Sequence, residues 1–275
     1  MQVVMWPGSN RFDASPTAYA ALRTMMFQST LPSDLADLLR ASDFRRYLAG
    51  AAPRKASAPP GTASRMSQLN PSLMQDLRRF DDGAAGLEVL EVMAAAVRHG
   101  RRLVVHLEHG RLVLPLTVFP DEHLVHCPLP MAQVMAGRLD DLRVLQVEPA
   151  ILRPPAEVAS GLAAARNRVV PLGPVLWELA LRGAREALLP EIAGSAAYRI
   201  GPGMDLGVLE LSGSLKMAVT KLRLETTNIR EIASWPGFDL ARASRLLNGL
   251  YLQAGLMISR SHPAATNDGW TNDKG

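Results

Sequence analysis

The chain has 275 residues, 48% hydrophobic and 20% charged, an ordinary globular composition with no apolar run near the ~18–20 residues that span a bilayer. Its formal charge of +4 is too small an excess to demand a polyanionic partner, and arginine far outnumbers lysine (only Lys55, Lys216, Lys221 and Lys274), as either a GC-rich coding bias or phosphate binding would give. A single cysteine, Cys127, excludes an intrachain disulfide framework, and Met1–Asn10 lacks a basic stretch leading into an apolar one. The expected location is the cytoplasm, with no membrane contact.

Residues 1–70 read as a mostly flexible N-terminal segment. Short helical patches fall at Ala18–Phe27, Asp34–Leu39 and Asp43–Leu48, before the Ala/Pro/Ser/Gly/Thr-rich linker Ala51–Gln68, which has too few apolar groups to offset the entropy of ordering it. Helices follow at Pro71–Arg79 and Ala84–Arg98, the second with Leu87, Leu90, Val92, Met93 and Val97 on one broad face and a stop at His99–Gly100. Three strands come next, Arg102–Leu107, Arg111–Val118 and Glu122–Cys127, joined by turns at His109–Gly110 and Phe119–Asp121. A helix near Met131–Met135 and a strand at Leu142–Val147 complete an α+β domain over 71–150. Arg153–Pro154–Pro155 marks a connection.

The second folded part is expected over 165–262. Pro174 opens a helix that runs to Leu189 before Pro190. A hairpin is expected from Ala196–Ile200 to Val208–Leu211. After the segment Leu215–Leu222, Asn228 and Glu231 have capping-box spacing, and Pro236–Gly237 turns the chain. Asp239 then caps a helix at Leu240–Ala254, Gly255 closes it, and Leu256–Arg260 reads as a strand. The polar tail 263–275, with Trp270, is expected to be disordered.

That succession of short helix, tight turn, longer helix ending in Ala-Gly-Leu and strand resembles a winged helix. The fold class is therefore expected to be α+β: a small antiparallel meander packed with helices, followed by a helical, winged-helix-like C-terminal domain. In that family the second helix of the pair commonly enters the major groove. The resemblance implies that Arg242, Ser244, Arg245 and Asn248 face a nucleic acid, Arg and Asn being suited to guanine and adenine edges. Lys216, Lys221, Arg223, Arg230 and Arg260 would hold phosphates alongside. The other reading of the helix pair is an αα-hairpin that packs into a larger core.

No motif points to catalysis. Five of six histidines lie between His99 and His126, beside Cys127, but side chains alternate along a strand, so His123 and His126 diverge; no metal site is expected, with metal-dependent chemistry at this meander left as a third alternative. Cys127 ends an apolar strand and reads as a buried thiol. Gly201–Gly207 lacks the Gly-Lys-Ser/Thr ending of a phosphate loop, and Ser212–Gly213–Ser214 is no nucleophile elbow. The expectation is a non-enzymatic regulator without cofactor, able to form a homo-oligomer, whose C-terminal module contacts DNA. The alternative is an adaptor or scaffold that uses the same module to bind a protein.

Overall fold

The computed structural model describes residues 38–51, 71–80, 88–150, 168–207, 209 and 211–265. The patch at Ala18–Phe27, nearly all of the linker, the Pro-rich connection and Trp270 lie outside them. Among the described residues, no helix is long and apolar enough to cross a membrane.

The first part is a five-stranded antiparallel sheet with helices. Helices α1 (Ala41–Ala51), α2 (Pro71–Phe80) and α3 (Val89–Arg98) precede β1 (Leu103–His109), β2 (Leu112–Phe119) and β3 (Leu124–His126). Then come α4 (Met131–Ala136), a 3-10 turn at Leu139–Asp141, β4 (Arg143–Pro149) and β5 (Val169–Pro171). The strand order is β4-β1-β2-β3-β5. The β1–β2 hairpin turns at Gly110, whose φ of +62° suits a residue without a Cβ.

Alternation along the strands sorts their side chains onto two faces. Leu103, Val105 and Leu107 pair with Val118, Leu116 and Leu114, and all six join the main core under α3. The opposite face carries Val104, His106, Thr117, His126 and Glu148, which are buried as well. One end of that face is covered by α1, where Phe44 stacks on His106 at 5.0 Å and Ala41, Phe44 and Val113 form a small separate cluster.

The second part holds helices and a two-stranded antiparallel ribbon. Its elements are α5 (Leu172–Arg182), β6 (Ala197–Ile200), α6 (Gly213–Leu224), α7 (Ile229–Ala233), α8 (Leu240–Leu252) and β7 (Leu256–Ser259). Both caps of the helix pair are made as the sequence implies: Asn228 accepts from the Glu231 N–H at 2.9 Å, and Asp239 accepts from that of Arg242 at 2.7 Å. Two local expectations fail. The helix from Pro174 stops at Arg182, because Gly183 leaves the helical backbone while its N–H still bonds Leu179. Strand β6 pairs with β7, and its Tyr198 bridges Thr227 at the other edge, so both edges of β6 are taken by distant segments instead of by Val208–Leu211.

Helix α8 is central. It packs along α5, α7 and β7, and Ala243, Leu246, Leu247 and Leu250 are all fully buried. Gly249 permits the approach to α5: a Cβ there would lie 2.8 Å from the Trp177 ring. The main cluster of buried residues runs without a break from Leu73 through the sheet and α5 to Leu252.

Candidate interaction site

The residues expected to face a nucleic acid are divided by the fold. Ser244 and Asn248 are 2% and 0% exposed, so they are core residues and do not form an outward face. The Ser244 hydroxyl donates to the Leu240 carbonyl one turn back, at 2.9 Å. The Asn248 amide accepts from the Leu189 N–H at 2.8 Å and donates to the Ala187 carbonyl at 2.9 Å. Two of the expected arginines do related work. Arg245 donates to the carbonyls of Arg185 and Gly183 and pairs with Glu186. Arg260 donates to the carbonyls of Glu191, Ala193 and Ser195.

The carbonyls that Asn248, Arg245 and Arg260 bond all lie between α5 and β6, in residues 183–195, which form neither helix nor strand. A backbone without regular structure needs outside donors for its carbonyls once it is buried. Arg245, Asn248 and Arg260 supply them from one side. From the other, Arg98 of α3 pairs with Glu191, and Arg185 reaches back to Glu88 and Glu91 while donating to Leu188. Two of the four side chains expected at base edges, Arg245 and Asn248, are thus committed to holding this segment between α3 and α8.

Exposed positions remain on α6 and around it. Arg242 is exposed; it donates to the Gly237 carbonyl at 2.8 Å and lies 5.2 Å from the Phe238 ring centre. Lys216, Arg223 and Arg230 are exposed, and Arg223 also donates to the Met204 carbonyl. Lys221 leans over the Trp235 ring, 4.4 Å from its centre, and pairs with Glu225 at 3.2 Å. Beside these charges stand two side chains that the sequence reading passed over, Met217 at 71% exposed and Leu224 at 76%. Helical geometry puts them on one stripe two turns apart, about 10 Å along the axis. The signal was present: Leu215, Met217, Ala218, Val219, Leu222 and Leu224 surround the helix, more apolar positions than one buried face can hold.

The histidine-rich sheet offers less chemistry. Among the described residues no three His, Cys, Asp or Glu side chains come together as a metal site. Burial, helped by the charge of Arg168, lowers the His126 pKa from 6.5 to about 4, so its imidazole is neutral at physiological pH. Thr117, its cross-strand neighbour, is fully buried; Thr117 Oγ1 and His126 Nδ1 have no hydrogen-bond partner among the described residues. Burial pushes the Cys127 thiol up to about 11, far from a reactive thiolate. Comparison with known protein families, with curated proteins and with solved structures finds no match, so these side chains are what a functional reading has to rest on.

Proposed function

We propose that the chain is a non-enzymatic adaptor whose C-terminal unit docks another protein through the exposed face of α6. The observation that carries this reading is the pair Met217 and Leu224, the two most exposed large hydrophobic side chains among the described residues, on one stripe of a well-formed helix. An isolated exposed apolar residue needs no explanation, but two aligned at helical spacing form a patch that gains from being covered. The burial and raised pKa of Cys127 further favour a non-catalytic role.

The winged-helix resemblance suggests a DNA reader, but that mode needs α8 free to enter a groove. Its Ser244 and Asn248 are buried, its Arg245 is committed to the 183–195 segment, and α5 and α7 cover its sides. Of the four side chains expected at base edges only Arg242 is left exposed, and the other exposed basic positions, Lys216, Arg223 and Arg230, are ones that contact phosphate without reading sequence. Titration of the full-length protein with random duplex DNA tests the reading. The expected result is weak binding at low salt that vanishes near physiological salt. Saturable binding at physiological salt that is lost on replacing Lys216, Arg223 and Arg230 would overturn the adaptor in favour of a DNA-contacting regulator.

A further inference from the structure

The charge around the docking face restricts what can cover it, on the premise that α6 is the docking site. Within Gly213–Leu224 there are three basic residues, Lys216, Lys221 and Arg223, and no acid. On the helix surface Lys216 and Arg223 share one flank of the Met217–Leu224 stripe, and Lys221 lies on the other. Lys221 is partly neutralised by Glu225 and drawn toward Trp235. Lys216 and Arg223 make no ion pair among the described residues, so that flank keeps its full positive charge.

A second copy is a poor occupant. Laying two α6 helices antiparallel, with Met217 of each against Leu224 of the other, brings Lys216 of each copy beside Arg223 of the other. It also sets the two Lys221 side chains near the symmetry axis. Like charges at both flanks oppose the pairing. A nucleic acid would complement the charge but press Met217 and Leu224 against phosphates. A partner helix with an apolar stripe and acidic flanks satisfies both observations, since its stripe covers the two side chains and its carboxylates meet Lys216 and Arg223.

We infer that the face of α6 bearing Met217, Leu224, Lys216 and Arg223 binds an amphipathic helix of another protein, apolar at i, i+3 or i+4 and i+7, with Asp or Glu along its flanks. The test is a selection of random 18-residue peptides displayed against the immobilised full-length protein. It is run in parallel on Met217→Ser/Leu224→Ser and on Lys216→Glu/Arg223→Glu, with circular dichroism to verify that both variants are folded. The expected outcome is enrichment of acid-flanked helical peptides that bind the Ser variant about a hundredfold and the charge-reversed variant about tenfold more weakly. Peptides that depend on Met217 and Leu224 but carry basic or uncharged flanks would overturn the inference and leave the docking reading intact. So would concentration-dependent dimerisation that the Ser variant abolishes, because the occupant would then be a second copy. Failure to enrich any peptide sensitive to Met217 and Leu224 would overturn both.

Discussion

The two parts of this molecule invert each other's exposure. The sheet hides polar groups: His106, Thr117, His126 and Glu148 are buried on the face opposite the main core. The C-terminal unit shows apolar ones, Met217 and Leu224, and its buried Asn248 and Ser244 are bonded, Asn248 to Ala187 and Leu189 and Ser244 to Leu240. Alternation places every second residue of a strand on the far face whatever its type, so where that face is covered too, any polar residue at those positions is buried. A helix has more freedom to turn polar groups outward, so an apolar stripe left exposed on one invites a functional explanation.

The largest expected effect probes the clamp in the C-terminal unit. Asn248→Ala leaves the buried Leu189 N–H without its acceptor and the partly buried Ala187 carbonyl without its donor, and should cost about 3–4 kcal/mol. Urea unfolding should show it as a lower midpoint at unchanged slope, and a loss below about 1 kcal/mol would mean that the 183–195 segment is not held this way.

Acid should find the weak point of the sheet. With its folded pKa near 4 against 6.5, His126 stays neutral in the folded state while the unfolded chain takes up a proton. Stability is therefore insensitive to this group above pH 6.5 and falls as pH drops toward 4, by on the order of 3 kcal/mol. His126→Leu should flatten that stretch of the stability–pH profile. An unchanged slope in the variant would assign the acid sensitivity to other groups.

A smaller effect is expected at the α5–α8 contact. Gly249→Ala gains helix propensity but drives a methyl into the Trp177 ring, for a net loss of about 1–2 kcal/mol with a changed tryptophan emission. The smallest belongs to the proposed docking face. Met217→Ser with Leu224→Ser should leave thermal stability within about 0.5 kcal/mol of the parent, because neither side chain is buried. A large destabilisation there would show the two residues to be structural and would remove the basis of the docking reading.

What the sequence by itself determined is local. The caps at Asn228 and Asp239, the glycine turn of the first hairpin and the face alternation of β1 and β2 all depend on contacts within a few residues, and all are found. The buried state of Cys127 was legible too, from its place at the end of an apolar strand. Tertiary structure decided the rest. β6 is joined to Thr227 and to β7 across long stretches of chain, and no propensity of Ala197–Ile200 distinguishes those partners from a neighbouring strand. The burial of Ser244 and Asn248 was not legible for a related reason. Nothing local foretold that residues 183–195 would cover the side of α8 bearing Arg245 and Asn248. Arginine and asparagine offer the same N–H donors to a phosphate, a base edge or a main-chain carbonyl, and only the folded chain shows which acceptor stands within reach.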